Sequence, residues 1–335
     1  MHFSKLTLLV LLGFVGPISG FGQKHLSPRR LEGRDISVIA FGSCNLQGMP
    51  QTIWKVIQRQ QPDLWIWMGD NIYADTRDTS ILRSKYQKQL ASPEYQNFIA
   101  QIPVAATWDD HDFGVNDADS SYPQKVHSKN IFCDFFNEPP DAPRRFRDGI
   151  YESYDLGKKP HTVRLILLDT RYNKGQPGPG SSMLGEKQWA WFEDQLLRSP
   201  AALNIVVSSI QVFADRIVTE RWGEFPRDVA RLDSLLNVYG KNNVLFLSGD
   251  IHGAEIARKT IYPSGITFHE ITSSGMTHST FLLNLVDNTF AYDPPYCHKN
   301  FGILKIKWGP PHRVQAQIYS YKGRLVRERF IDFQQ

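Results

Sequence analysis

Six short apolar runs recur along the chain, each closed by small or polar residues: ISVIAFGSCN (36–45), DLWIWMGDNIY (63–73), PVAATWDDHD (103–112), VRLILLDTRY (163–172), LNIVVSSIQ (203–211) and NVLFLSGDIH (243–252). Unbroken hydrophobicity over about four to six residues, rich in Val, Ile, Leu and Trp, predicts strands covered on both faces. Helical spacing appears between them. Residues 50–60 place Ile53, Trp54, Val56 and Ile57 on one side, 185–197 place Trp189, Trp191, Phe192 and Leu196, and 226–238 open with Pro226 and continue through Val229, Leu232, Leu235 and Leu236. Strands alternating with helices predict an α/β sheet. Towards the end of the chain TFHEITSS, FGILKIKW, HRVQAQIYS and RLVRERFIDF alternate apolar and polar residues, which predicts half-exposed strands in a second, mixed or antiparallel sheet. GQPGPGSS (175–182) reads as a surface loop, and the irregular aromatic segment 281–298 reads as core packing in preference to the rim of a cleft.

A chain of 335 residues with 41% hydrophobic and 12% aromatic content can bury a substantial core. Its opening, MHFSKLTLLVLLGFVGPISGFG, has one lysine before an apolar stretch, then Gly, Pro and small residues. That is the layout of a signal peptide over residues 1–22, too short in its apolar part for a membrane span, and it predicts a secreted or periplasmic product. No other segment is apolar enough to cross a bilayer, and no interdomain linker stands out in 23–335. Removing 1–22 takes away Lys5 and no acid, so the formal charge falls from +4 to +3. So small an excess is no nucleic-acid signature.

AATWDDHDFGVNDAD (105–119) gathers five aspartates into eleven positions. Carboxylates crowded in a partly buried site must shift their pKa, find a cation or leave for water. A solvated acidic loop is the plain alternative. An EF-hand is excluded, because counting from Asp110 the glycine falls fifth instead of sixth and Ser121 stands where the bidentate glutamate belongs. The surrounding pattern favours a cation. Polar residues close all six apolar runs: Cys44 and Asn45; Asp70, Asn71 and Tyr73; Asp109, Asp110, His111 and Asp112; Asp169 and Arg171; Ser208, Ser209 and Gln211; Asp250 and His252. In open α/β sheets ligands bind at the carboxyl ends of the strands, so neighbouring strands would bring these groups to one crevice, where metal ions are the simplest neutralising cations. Ser208 and Ser209 lack a GxSxG elbow, and no P-loop or GxGxxG cradle appears.

GDNIY (69–73), WDDHD (108–112) and SGDIH (248–252) resemble the signatures of dinuclear metallophosphoesterases, with aspartate in place of the usual asparagine and first histidine. FGSC, ATWDDHD, LDTRY, SSIQ and TSSG (272–275), in that order, resemble the PhoD-like (alkaline phosphatase D) branch. The resemblance implies a four-layer αββα sandwich, two mixed sheets flanked by helices, with 23–335 as one catalytic domain. It also implies hydrolysis of phosphate esters, small-molecule, lipid or polymer, by in-line attack of a metal-bound hydroxide at an Fe³⁺ and Ca²⁺ centre. Twin-arginine export is common among such enzymes, whereas here Arg29 and Arg30 follow the apolar stretch, which points to general secretion.

Carried onto this chain, the resemblance makes Asp70 a bridge between two metals and assigns Tyr73 and Cys44 to one of them. A phenol and a thiol must lose protons to ligate, which suits ferric iron better than calcium. Asp110 falls to the second metal, Asn116 to calcium, and Asp250 and His252 to the last signature, with His252 more natural on iron. His111 is expected beside the metals as a phosphoryl-oxygen stabiliser or leaving-group acid. Arg171 is expected either to clamp a phosphate oxygen or to pair with Asp169, with Asp109 and Asp112 in support. With Cys44 a ligand, Cys133 and Cys297 remain as a possible disulfide. Two further readings stay open: a calcium-dependent binding protein without catalysis, and a purple-acid-phosphatase-like or nucleotidase centre with two transition metals.

Overall fold

The computed structural model describes residues 24–333; the expected signal peptide lies outside them. Twelve strands are present among these residues: β1 (Val38–Gly42), β2 (Leu64–Met68), β3 (Val104–Thr107), β4 (Glu152–Lys158), β5 (His161–Leu167), β6 (Leu203–Val207), β7 (Val244–Ser248), β8 (Ala254–Ile261), β9 (Ile266–Ser273), β10 (Asn300–Lys307), β11 (His312–Ser320) and β12 (Leu325–Phe333). They form two six-stranded mixed sheets, ordered β12-β11-β10-β1-β2-β3 and β4-β5-β6-β7-β9-β8. All six apolar runs are strands, three in each sheet. β1, β2 and β3 run parallel in one, and β5, β6 and β7 in the other. The alternating C-terminal segments build no separate sheet, contrary to expectation. β10, β11 and β12 add antiparallel to the free edge of β1, and β9 lies parallel beside β7.

The alternation of those late strands has a physical cause that burial makes plain. One face of the first sheet packs on one face of the second, joining Phe41, Ile66, Val314 and Ile331 to Leu165, Ile205, Leu247 and Ile271 in a dry interlayer. The outer face of the first sheet carries Trp65, Trp67 and Phe301, covered by helices that supply Trp54, Tyr86, Tyr95 and Phe132. On the outer face of the second sheet, Ile166, Val206 and Phe246 meet Trp189 and Phe192 from the helix Gly185–Leu197 and Leu232, Leu235 and Leu236 from the helix Pro226–Tyr239. Proline at the start of the latter helix and Gly240, left-handed at its end (φ 65°), bound it. Helices thus cover the central strands, while β11 and β12 have less cover and keep polar residues outside. The result is a four-layer αββα sandwich.

Candidate metal centre

The carboxyl ends of the two sets of parallel strands face one another across the interlayer. Thr107, ending β3, donates to the carbonyl of Leu168 beyond β5 (2.7 Å), and Ser209 beyond β6 donates to Asp109 beyond β3 (2.7 Å). Two glycines permit this approach. A Cβ on Gly69 would lie 2.6 Å from Asp109 Cβ, and one on Gly249 would lie 2.5 Å from Ser43 Oγ and 2.9 Å from the Ser209 carbonyl. The aspartates after them, Asp70 and Asp250, therefore leave their strands into a crevice shared by both sheets.

Backbone strain is concentrated here. Cys44 (φ 58°), Asp70 (φ 49°), Asp250 (φ 71°) and His252 (φ 53°) all occupy the left-handed region, as do Asp75 and Asp117. Non-glycine residues enter it rarely and at a cost, and such residues cluster at functional sites. Four of the seven predicted metal ligands are thus held in costly conformations.

The predicted groups converge. Asp70 Oδ2 accepts from the Tyr73 hydroxyl (3.0 Å) and the Cys44 thiol (3.4 Å), and the Tyr73 hydroxyl lies 3.0 Å from His252 Nε2. Three sets of donor atoms each fall within 4.8 Å of one another: Cys44, Asp70 and His252; Asp70, Asp110 and His111; and Asp110, Asp117 and Glu220. Asp70 belongs to the first two sets. Its Oδ1 is buried without a hydrogen-bond partner. Asp250, Asn116 and Asp117 line the same cavity of about 240 Å³ as Asp110, His111 and His252.

Electrostatics show how closely the anionic groups are crowded. Burial first, then the neighbouring Asp110 and Asp109 charges, push the Asp70 carboxyl well above the usual range. Burial and the Asp109 and Glu220 charges do the same to Asp250. Cys44 and Tyr73 are pushed up by burial and by Asp70. Burial also opposes charge on His252, lowering it to about 4 with help from His278 and His111. His111 behaves oppositely: burial disfavours its charge, but the 2.6 Å contact with Asp75 and the Asp70 and Asp110 charges raise it to about 10.

Several residues hold this arrangement. Asp112 accepts from the Asp109 and Asn71 backbones and from Tyr86, tying the acidic turn to β2 and a flanking helix. Arg171 does not pair with Asp169 through its side chain. Asp169 is occupied by the Trp108 indole and by the backbone amides of Ile150, Arg171 and Tyr172. The Arg171 guanidinium, fully buried, meets Asp109 (2.5 Å) and Glu220 (2.7 Å), while its Nη1 has no hydrogen-bond partner. It is not among the side chains lining the cavity. No disulfide forms. Cys133 packs with Phe132 and Phe135 and Cys297 with Ile251 and Leu283, in separate apolar clusters, and all three cysteines are free.

The sequence reading missed four polar residues of the site. Asp75 holds His111. Glu220, also paired with Lys174, joins Asp110 and Asp117. Asp117 is exposed, and its amide donates to Asp110 Oδ2 (2.6 Å). His278 packs its ring 4.4 Å from that of His252. His278 stands three residues beyond TSSG and was within reach of that motif, whereas Asp75 and Glu220 sit in irregular segments with no periodicity to flag them. Segment 281–298 also departs from expectation, since Leu282 and Leu283 form part of the cleft.

Comparison with known proteins agrees with this geometry. The chain matches the PhoD-like phosphatase family over residues 39–295. Among solved structures it is similar to PhoD (17% identity, TM-score 0.68, covering 89% of this chain and 72% of that one). It is also similar to the purple acid phosphatase PPD1 from yellow lupin seeds (13%, TM-score 0.64, 90% and 55%). A third similar structure is GAP50 of Plasmodium, described as the anchor in the inner membrane complex (14%, TM-score 0.58, 89% of each chain). None of the curated proteins matches.

Proposed function

The chain belongs to the PhoD-like phosphatase family and is a metal-dependent phosphoric ester hydrolase, and from that premise we propose that its crevice holds one ferric ion and calcium. The observation that carries this reading is Asp70, a buried carboxylate with one free oxygen, shared between a thiol, phenol and imidazole set and an oxygen-rich set. Cys44, Tyr73 and His252 would hold the iron. Asp110, with Asp117, Glu220 and Asn116 near it, would hold calcium, which prefers many oxygen ligands. Asp250, which lines the same cavity, completes the cradle.

When bound, the ions would supply a nucleophilic water near neutral pH and share charge on the phosphoryl oxygens. His111, protonated through Asp75, donates to a phosphoryl or leaving oxygen. Arg171 positions Asp109 and Glu220 and neutralises part of the acidic wall. The layout of residues 1–22 supports export before this chemistry is needed. Among the described residues no helix is long and apolar enough to cross a membrane.

Elemental analysis of the purified protein, with absorption spectroscopy, tests the assignment. One iron and at least one calcium per chain are expected, with a visible tyrosinate-to-iron band that Tyr73→Phe removes. Zinc at both positions, or a colourless iron-loaded protein, would overturn it. Release of p-nitrophenol from chromogenic monoesters and diesters, lost in Asp70→Asn, tests the catalytic half.

A further inference from the structure

The cavity is lined by two kinds of side chain: the carboxylates of Asp110, Asp117, Glu220 and Asp250, and the apolar Val218, Leu282 and Leu283. Ile217, Phe281 and Leu285, one or two residues along the chain from these lining residues, are 75%, 65% and 74% exposed. Large apolar side chains exposed singly need no account, but several of them in the segments that line a cavity point to a binding surface.

A buried polar network fixes these residues in place. Arg216 donates to the Val286 carbonyl (2.7 Å) and pairs with Glu255 (2.7 Å). Asn288 donates to the Phe213 carbonyl (3.1 Å) and to Glu255, and the Thr289 amide donates to Asp215 (3.0 Å). The two segments that carry the apolar tips are thus stapled together from beneath, and the tips stand in water on a fixed frame. Charge narrows the choice of ligand further. No lysine or arginine lines the cavity among the described residues, and the one charged imidazole there, His111, is given to the phosphate, so a second anionic group on the alcohol would find no side chain of opposite charge.

We infer that this collar receives the alcohol of the substrate, and that the site takes phosphate esters of uncharged, apolar alkyl or aryl alcohols. The inference rests on the phosphoesterase reading above. The phosphate faces the donor residues while the hydrocarbon lies along Val218 and Leu282, where each methylene removed from water adds affinity.

Calorimetric titration of the metal-loaded protein with methylphosphonate and n-hexylphosphonate separates the two claims. The hexyl compound should bind at least about tenfold tighter, with a more negative heat-capacity change. In Leu282→Ser and Val218→Ser, both at exposed positions, the ratio should fall below about threefold while methylphosphonate affinity stays within about twofold. Methylphosphonate binding with no hexyl advantage overturns the collar and leaves the phosphate site standing. No binding of methylphosphonate overturns both. A ratio near one, with sedimentation on phosphatidylglycerol vesicles that Leu282→Ser abolishes, would make the collar a membrane surface and refute its role in substrate choice.

Discussion

Asp70 and Glu255 are both buried carboxylates, only 1% and 2% exposed, yet their surroundings are opposite in sign. Glu255 meets Arg216 at 2.7 Å and also accepts from Asn288 and Gln211. Asp70 has a thiol and a phenol as donors, three aspartates among the charges that raise its pKa, and no lysine or arginine paired with it among the described residues. A buried charge is tolerated only with a partner. Where the chain supplies the cation, the cluster is structural and self-sufficient. Where buried anions on strained backbone outnumber the cations the chain supplies, here His111 and Arg171, the balance is proposed to come from outside, and the cluster is a cradle.

The largest test of this contrast exchanges the consequences. Asp70→Asn should cost more than about 100-fold in activity, beyond the usual cost of losing a residue that merely supports a metal ligand, while leaving the metal-free fold as stable as before or more so. Arg216→Met should do the reverse to stability, costing about 3–5 kcal/mol in denaturant unfolding because Glu255 is left buried and unpaired. If Asp70→Asn destabilises the metal-free protein by as much, the two clusters are not different in kind. Metal removal comes next. Chelation should lower stability by about 4 kcal/mol when free metal had stood near a thousand times its dissociation constant. Asp70→Asn should lose that dependence and Arg216→Met should retain it, as thermal unfolding with and without chelator would read.

The same distinction explains what was legible in the sequence. β1, β2, β3, β5, β6 and β7 showed as apolar runs because both faces of each are buried, and the polar residues at their ends include the proposed ligands Cys44, Asp70, Asp110 and Asp250. β4 and β8, at sheet edges with polar residues such as Glu152, Asp155, Arg258 and Lys259 among the apolar ones, gave no such run. The helix Thr79–Leu90 buries only Leu82, Tyr86, Gln89 and Leu90, too sparse a stripe to stand out. Glu220 and Asp75 reach the site from loops, and loop position is set by partners distant in sequence, here Arg171 and His111. The assignment of β10–β12 to the first sheet depends on pairing with β1, which strand periodicity does not encode.

pH separates the clusters more finely. Burial raises Glu270, whose carboxylate accepts from the Val212 and Phe213 amides, to about 7 from an ordinary 4.5. The folded state therefore holds this proton longer than the unfolded chain does. Its contribution is full below pH 4.5 and lost as pH rises through about 7, a change of up to about 3 kcal/mol. Asp70 and Asp250, also raised, act with the same sign in the metal-free protein. Metal binding needs them deprotonated, so loading should release protons, strengthen with rising pH and flatten only the cradle's share of the slope. Unfolding midpoints against pH should then show Glu270→Gln reducing the fall through about pH 7 by the same amount in both forms, with buried Asp109 and Asp112, raised to about 6 and about 8, keeping a share of it. A slope unchanged by metal would place the titrating groups outside the cradle.

The smallest expected effect lies at the rim, where His111 touches both kinds of environment. Its imidazole is raised to about 10, with burial opposing and Asp75, Asp70 and Asp110 favouring the charged form. Bound metal would offset Asp70 and Asp110, which brings the alkaline limb of kcat/KM below that value. The Asp75 charge would still act, since its side chain is 46% exposed and lies outside the donor sets. An exposed carboxylate contributes at most about 1 kcal/mol, equivalent to somewhat less than one pH unit. Asp75→Asn keeps an acceptor but removes the charge, so the alkaline limb should move down by roughly half a unit to one unit, with metal content and unfolding midpoint unchanged. A limb that stays in place would remove His111 as the acid. A limb that shifts together with loss of metal would make Asp75 part of the cradle itself.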